Sequence, residues 1–272
     1  MIKSIIRLLL FPALALSILL CSCSYDSLGN KEKEKIEDYS KQILEQASIS
    51  ISLMAEKIEN QCYDVVLSEP VQERTECEDD YDKLMNSRQV SDLLISTFIN
   101  IKDIEMVFVE FSEGGTDSYR LNDYVDYEEV KALVKPDKNG SFKWASVKIK
   151  ERNFVVLSKK ITSITTANEI GKIYVVLKDS YFQASIKNIR YGNDSRVFIL
   201  DSGGKIISTA NKDSDSEIDG IELIHKIKNY KMHSNVFTTV INKVENLVVY
   251  SEIKNRDWYV VGIIPAHNLY QR

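Results

Sequence analysis

The chain has 272 residues, of which 44% are hydrophobic and 28% are charged, and its net charge at pH 7 is −5. This length is enough for one large domain or two smaller ones with hydrophobic cores, and the 10 glycines and 4 prolines are too few for a disordered or fibrous protein. The mildly acidic balance argues against nucleic acid as a partner, because phosphate binding needs a concentrated basic surface.

The first residues have the layout of a secretory signal. Lys3 and Arg7 form a short basic region, and residues 8–20 are apolar apart from one proline and one serine. The apolar core is too short for a comfortable membrane-spanning helix, which needs about 20 apolar residues. We therefore predict that residues 1–23 are a leader that directs the rest of the chain out of the cytoplasm.

The end of this leader resembles the cleavage box of bacterial lipoproteins. Such a box has a leucine three residues before the cysteine and a small residue directly before it, and Leu20, Ser22 and Cys23 fit this pattern. Cys21 fits poorly because it follows the bulky Leu20. The resemblance implies that Cys23 is lipidated and that its acyl chains anchor the protein to the cell membrane on the extracytoplasmic side. The alternative is an uncleaved signal-anchor helix, which places the body of the protein on the same side.

Two cysteines lie beyond the leader, Cys62 and Cys77. An even pair in an exported domain is typical of a disulfide, and closing a loop of about 15 residues would contribute roughly 3 kcal/mol. Two free thiols are the alternative. The sequence has no Cys-x-x-Cys motif and no cluster of cysteine with histidine, so no metal site is predicted.

A long helix is predicted over residues 31–61, which contain no proline or glycine. Its apolar residues recur at steps of mostly three and four: Ile36, Ile43, Ala47, Ile51, Met54 and Ile58. At 1.5 Å per residue this helix would be about 45 Å long. A helix of this length directly after a membrane anchor is expected to be a stalk, which either pairs with a second copy or packs on a sheet.

The segment after the stalk predicts a first α+β unit over residues 62–166. Its expected elements are a helix at 81–100, a strand at 104–111, a short helix at 127–134 and two strands at 142–149 and 153–161. Asn139 and Gly140 predict a tight turn between the short helix and the last two strands.

Residues 167–272 predict a second unit. Its expected elements are a strand at 170–177, a helix at 179–189, a strand pair at 196–200 and 205–209, a helix at 217–228 and strands at 235–242, 247–253 and 258–264. The order of one strand, a helix, a hairpin, a helix and three antiparallel strands is the layout of a PAS-like sensor fold.

Three segments of the second unit resemble Cache domains. Residues 196–208 (RVFILDSGGKIIS) resemble their central hairpin, and residues 257–265 (DWYVVGIIP) resemble their closing strand, which begins with tryptophan and ends with Ile-Pro. The strand at 170–177 and the helix after it resemble the opening of the membrane-proximal unit. The resemblance covers about residues 30–270 and implies an α+β double-Cache fold, as in the extracellular regions of bacterial sensor histidine kinases and chemoreceptors. It also implies that the membrane-distal unit binds a small ligand. The membrane-proximal unit would then relay the signal or support the distal unit.

The sequence departs from this family in two respects. Such receptors continue into a second membrane helix and a signalling module, whereas this sequence ends at Arg272 without a kinase or nucleotide-binding motif. We therefore expect it to act through a membrane-spanning kinase or receptor. Amino-acid-binding Cache domains carry an Arg-x-Trp-Tyr element, and the counterpart at residues 142–145 (FKWA) keeps Trp144 but lacks the arginine and the tyrosine. An ordinary free amino acid is therefore not the expected ligand.

A distal ligand pocket is predicted from Tyr119, Arg120, Lys143 and Trp144. An arginine at the mouth of such a pocket can pair with an anion through two hydrogen bonds. The alternative is that these side chains form a solvated hairpin edge. No catalytic residue and no cofactor are predicted, because no serine or acidic pair is placed with the three histidines in the pattern of a triad.

The leading hypothesis is a membrane-anchored extracytoplasmic module that binds or senses an unknown small molecule and acts through a partner membrane protein. One alternative is a ligand-free adaptor that docks on a partner or forms a homodimer through the stalk helix. The others are the remnant of a truncated sensor histidine kinase and a hydrolase.

Overall fold

A computed structural model describes residues 2–210 and 219–269, and the side chains of residues 34–210 and 219–268. Within these residues the chain forms a long N-terminal helix followed by two antiparallel five-stranded sheets, each with short helices. This architecture confirms the predicted α+β fold class with two similar units.

The first helix, α1, extends from Ile2 to Val66. Its inward face carries fully buried residues at steps of three and four, among them Leu44, Ile51 and Ile58. The side chains of the predicted leader, including Cys23, lie outside the described residues. Among the side chains that are described, no helix is both long and apolar enough to cross a membrane.

Two short turns of helix connect α1 to the next long helix. Helix α2 spans Glu69–Gln72, a 3₁₀ turn spans Glu73–Glu76, and α3 spans Asp80–Phe98. Asp79 caps α3 by accepting a hydrogen bond from the backbone N–H of Asp82 at 2.8 Å, which satisfies one of the free donors of its first turn.

The predicted disulfide is not formed, because Cys62 and Cys77 are both free thiols. Cys62 lies on the inward face of α1 and is fully buried, and burial raises its thiol pKa far above the ordinary value. Cys77 ends the 3₁₀ turn, and its Sγ lies 3.8 Å from the carbonyl oxygen of Glu73. The two side chains therefore have different surroundings, one in the core and one near the surface.

The first sheet contains strands β1 to β5 in the order β2-β1-β5-β4-β3. The strands are β1 (Ile104–Phe111), β2 (Thr116–Arg120), β3 (Lys143–Ile149), β4 (Arg152–Thr162) and β5 (Glu169–Lys178). Helix α4 (Tyr127–Leu133) lies between β2 and β3 in the chain and covers the face of the sheet that points away from α1.

The position of strand β5 differs from the one that the sequence pattern predicted. The sequence pattern placed this strand in the second unit, but Val175 pairs with Val107 of β1 on one side and with Leu157 of β4 on the other. It is therefore the central strand of the first sheet, and the second sheet begins only after Lys178. Its apolar residues are buried on both faces, as expected of a central strand covered on both sides.

The second sheet contains strands β6 to β10 in the order β7-β6-β10-β9-β8. After α5 (Ser180–Gln183), the elements are β6 (Arg196–Asp201), β7 (Ile206–Thr209), α6 (Gly220–Asn229), β8 (Ser234–Ile241), β9 (Val244–Ile253) and β10 (Trp258–Pro265), and the chain then forms a 3₁₀ turn (Ala266–Leu269). Helix α5 is shorter than the predicted helix at 179–189.

Three hydrophobic cores hold these layers together. The largest lies between α1 and the inner faces of both sheets, and it is continuous from one sheet to the other. The second lies between the outer face of the first sheet and α4, and the third lies between the outer face of the second sheet and α6. Each sheet is thus buried on both faces, while α1 is common to both units.

Candidate functional site

The four residues of the predicted pocket do not come together. Tyr119 and Arg120 lie on β2, whereas Lys143 and Trp144 lie on β3, and these strands form opposite edges of the first sheet. Neighbouring strands are about 4.8 Å apart, so four spacings separate the two pairs by roughly 19 Å. A single pocket built from all four side chains is therefore excluded.

The pair on β2 lies at a solvent-facing edge. Arg120 makes an ion pair with the exposed Asp123 at 3.4 Å, and Tyr119 is half-buried against the main core. An exposed ion pair of this kind contributes little to stability. These two residues do not line a cleft with Lys143 and Trp144.

Trp144 belongs to an aromatic cluster where the two sheets meet. Its ring centroid lies 5.7 Å from those of Phe182 and Trp258, in edge-to-face geometry, and Phe182 lies 5.5 Å from Trp258. Trp144 comes from the first sheet and Trp258 from the second. Both tryptophans of the protein thus lie at the boundary between the units.

Glu59 of α1 connects this cluster to both sheets. Its Oε1 accepts a hydrogen bond from Nε1 of Trp144 at 2.7 Å, and its Oε2 forms an ion pair with Nη2 of Arg256 at 2.8 Å. Arg256 lies in the turn before β10, and its side chain is only 4% exposed. One carboxylate on the long helix therefore contacts a residue of each unit.

Arg256 has further partners and one free donor. Its Nη1 donates a hydrogen bond to Oγ of Ser52 at 3.1 Å and lies 3.9 Å from Glu56. Its Nε is buried and has no hydrogen-bond partner among the described residues. A buried donor without a partner costs free energy.

An open cleft of about 660 Å³ lies beside the aromatic cluster. Its lining combines two tryptophans with charged and polar groups: Glu59, Ser141, Phe142, Lys143, Trp144, Asp201, Ser202, Asn255, Arg256, Asp257 and Trp258. Binding sites for small molecules usually have this size and this mixture of aromatic surface with a few polar groups. Of the predicted pocket residues, Lys143 and Trp144 line this cleft.

A second cleft, of about 720 Å³, lies between the start of β4, the end of β5 and strand β7. Lys178 lines this cleft, and behind it the carboxylate of Glu105 is fully buried. The nearest cation to Glu105 is Nζ of Lys178 at 3.6 Å, and neither carboxylate oxygen has a hydrogen bond among the described residues. This cleft is lined mainly by charged and polar side chains and has little aromatic surface.

The outer face of the first sheet is filled by aromatic side chains under α4. Phe108 and Tyr174 stack with their ring centroids 4.6 Å apart, and burial raises the pKa of Tyr174 to about 12. Lys131 of α4 binds Glu110 of β1 at 2.8 Å and Glu128 at 2.7 Å. Burial alone would raise the pKa of Glu110, but the hydrogen bond and charge of Lys131 hold it below its ordinary value.

Glu59 and Arg256 were not predicted from the sequence. Arg256 lies two residues before Trp258, next to the closing-strand motif, and this proximity was a usable signal. Glu59 had no comparable signal, because it is one of several glutamates along the helix. No three histidine, cysteine or acidic side chains in the described part of the chain come close enough to hold a metal ion.

Comparison with protein families gives one match over most of the chain. A family model described as Cache domain matches residues 33–272. No curated protein matches the sequence.

Several solved structures have the same fold. The ligand-binding domain of the Campylobacter jejuni chemoreceptor Tlp3 in complex with 4-methylisoleucine has a TM-score of 0.64 and 14% identity, and the match covers 89% of this chain and 95% of that one. The periplasmic sensory domain of C. jejuni Tlp1 has a TM-score of 0.63 and 11% identity, with coverages of 88% and 98%. The domain of Pseudomonas aeruginosa PctB in complex with L-Gln has a TM-score of 0.60 and 11% identity, with coverages of 86% and 93%.

Proposed function

This chain belongs to the Cache domain family, and we propose that it binds a small molecule outside the cytoplasm and reports the binding to a membrane protein. Domains of this family are sensory ligand-binding domains and not enzymes. The observation that carries the proposal is the family match over residues 33–272, and the mixed aromatic and polar cleft beside Trp144 supports it.

The ligand is proposed to bind in the cleft lined by Lys143, Trp144 and Arg256. Its volume of about 660 Å³ suits a molecule of amino-acid size, and two of the similar structures hold 4-methylisoleucine and L-Gln. The Arg-x-Trp-Tyr element is incomplete here, so the ligand is expected to differ from an ordinary free amino acid.

The position of this cleft suggests how binding is transmitted. A ligand against Trp144 would disturb the hydrogen bond from its Nε1 to Glu59, and Glu59 belongs to α1. The binding state would therefore be passed to the long helix, which is the proposed stalk. A shift of a packed helix at an interface is a common element of such switches.

Binding is tested by a thermal-shift screen of the purified protein against amino acids, amines, carboxylates and sugars, followed by calorimetry. We expect a stabilising ligand whose affinity falls at least about tenfold in Lys143→Ala, because an exposed cationic lining group is lost. Arg120→Ala, which removes a cation at the opposite edge of the sheet, is the matched control and should leave the affinity unchanged. Loss of binding in the control alone would move the site to β2.

The membrane attachment is proposed to be lipid on Cys23, with cleavage of residues 1–22. Acyl chains cannot carry a conformational change through a bilayer, so the output is proposed to pass to a membrane-spanning kinase or receptor. Mass spectrometry of the mature protein is expected to find an N-terminal Cys23 that carries acyl chains. An intact peptide that continues from Met1 through Cys23 would contradict the lipid anchor and favour the uncleaved helix.

A ligand-free docking adaptor is the second candidate. It is favoured by the stacked rings of Phe108 and Tyr174, which fill the space between the first sheet and α4. In that case the screen would yield no stabilising compound, while affinity purification from the native membrane would recover a stable partner. The two candidates thus differ in both measurements.

A further inference from the structure

The second cleft, of about 720 Å³, lies at the junction of the two units and is separate from the proposed ligand site. One wall comes from the first unit and its connection to the second, at residues 151–154 and 178–180, and the other wall comes from the second sheet, at residues 204–209. None of these residues lines the cleft beside Trp144. A molecule that fills the second cleft therefore contacts both units.

Three cations from three separate segments line this cleft. Arg152 begins β4, Lys178 ends β5, and Lys205 lies in the turn between β6 and β7. Lys178 faces the buried carboxylate of Glu105, with 3.6 Å between its Nζ and Oε2 of the glutamate. The charge of Lys178 is thus compensated within the fold, whereas Arg152 and Lys205 have no carboxylate within 4.0 Å in the described part of the chain.

Arg152 is held at the cleft by an aromatic ring. Its guanidinium carbon lies 4.2 Å from the ring centroid of Tyr124, and its side chain makes no hydrogen bond to any described residue. A cation–π contact holds the guanidinium group without a hydrogen-bond acceptor, so its N–H donors stay free. The planar fork of these donors matches two oxygens of a carboxylate or phosphate group.

Lys205 faces the same cleft from the second unit. Its Nζ donates one hydrogen bond to the backbone carbonyl oxygen of Ser146 in the first unit. An ammonium group has three donors, so two remain for other acceptors. The lysine side chain thus reaches across the junction and keeps donors for a ligand.

The acidic residues of the lining leave an excess of positive charge. Glu151 is 90% exposed and lies 3.3 Å from Lys148, so it is paired outside the cleft. Asp179 is the other acidic lining residue, and it has no ion pair with any described residue. Two unpaired cations therefore stand against one unpaired carboxylate, and this balance favours an anionic ligand.

We propose that the second cleft binds a small oxyanion, a carboxylate or a phosphate group, between Arg152 of the first unit and Lys205 of the second. The oxyanion supplies the acceptors that both cations lack, and its charge matches the local excess. Because the ligand bonds to a residue of each unit, its binding also opposes separation of the units. This site does not rest on the ligand proposed for the cleft beside Trp144.

Calorimetric titration of the full-length protein in detergent tests the proposal, with sodium phosphate and sodium succinate as the probes. Each probe is compared with sodium chloride at the same ionic strength, because general screening is then equal. At least one probe is expected to bind saturably with a Kd of about 1 mM or tighter. Saturable binding of phosphate alone assigns the site to phosphate compounds, and binding of succinate alone assigns it to carboxylates.

Arg152→Gln and Lys205→Gln should each raise this Kd at least about tenfold, because each removes a charged donor to the oxyanion. Lys150→Gln is the matched control. Its Nζ lies 4.7 Å from the centroid of the same Tyr124 ring, but the residue does not line the cleft. The Kd of this control should change by less than about twofold. Asp179→Asn should lower the Kd because it removes the unpaired carboxylate, and misfolding cannot produce such a gain of affinity.

A reciprocal comparison separates the two clefts. Lys143 lines only the cleft beside Trp144, so Lys143→Ala should leave the Kd of the oxyanion unchanged. A ligand whose affinity depends on Lys143 should bind equally well to Arg152→Gln. Failure of the proposed function would therefore leave the oxyanion result standing.

Two results would overturn the oxyanion site. The first is that neither probe binds beyond the effect of chloride. The second is an equal loss of affinity in Lys150→Gln and Arg152→Gln, because that result would indicate a diffuse attraction to basic side chains and not a built site.

Discussion

Glu59 is the residue on which contacts between the two units converge. Its two carboxylate oxygens bind Trp144 of the first sheet and Arg256 in the turn before β10 of the second sheet, at 2.7 Å and 2.8 Å. A buried ion pair is weak evidence for net stability, because both charges lose water when they are buried. The removal of one partner is nevertheless costly, because it leaves the other charge buried without compensation.

Glu59→Gln is therefore expected to destabilise the protein by about 2–4 kcal/mol, since Arg256 then lacks its carboxylate partner. The free energy of unfolding in urea is the measurement. Glu56→Gln is the control, because Glu56 is half-exposed and lies 3.9 Å from Arg256, and its loss should cost roughly 0.5 kcal/mol or less. Equal effects of the two variants would show that Glu59 has no special structural role.

At the level of single elements, α4 is attached to the first sheet by both packing and charge. Val130 of the helix is buried in the second core, and Lys131 binds Glu110 of β1 at 2.8 Å. Lys172 of the central strand approaches the same carboxylate at 3.5 Å. Helix α4 is the only helix that the described residues provide as a cover for this face, so its attachment controls access to the second core.

The pH dependence of stability should reveal this attachment. The pKa of Glu110 is lower in the folded protein than its ordinary value of 4.5, so its ion pairs stabilise the fold above about pH 4.5 and this stabilisation is lost as the pH falls through the folded pKa. Glu110→Gln should therefore be less stable than wild type at pH 7, by roughly 1 kcal/mol or less because the group is partly exposed.

Urea unfolding of both proteins at several pH values checks this expectation. The difference between them should shrink below about pH 4.5. Glu128→Gln, which removes an exposed partner of the same lysine, should have the smaller effect at pH 7. A difference that stays constant from pH 7 to acid would contradict the role of the Glu110 carboxylate.

At the level of the whole molecule, one continuous core joins α1 to both sheets. The contacts between the sheets include the Trp144–Trp258 pair and a hydrogen bond from Ser146 Oγ to the carbonyl oxygen of Ile206 at 3.3 Å. Because α1 is common to both units, neither sheet has an inner face that is complete without it. The two units are therefore expected to unfold together.

Tryptophan fluorescence and far-UV circular dichroism test this cooperativity. The chain has 2 tryptophans, and both lie at the boundary between the sheets, so fluorescence follows the boundary while dichroism follows all the helices and strands. We expect coincident unfolding midpoints in urea, as for a two-state domain. A fluorescence transition that clearly precedes the dichroism transition would show that the units separate before they unfold.

Local patterns in the sequence were enough to predict most of the elements and the fold class. The apolar stripe of α1, the turn at Asn139 and Gly140, and the motif around Trp258 are signals whose residues lie close together in the chain, so they can be recognised without knowledge of the fold. The family resemblance rested on the order of such local signals, and the match over residues 33–272 confirmed it.

Which of these elements lie together depends on the tertiary fold. Strand β5 is the centre of the first sheet because it pairs with β1 and β4, and strand order is set by long-range packing that no local period encodes. For the same reason Tyr119 and Arg120 lie at one edge of that sheet, while Trp144 meets Glu59, 85 residues earlier in the chain. The tertiary fold also explains why the two cysteines are free thiols, because it buries Cys62 in the core and leaves Cys77 near the surface.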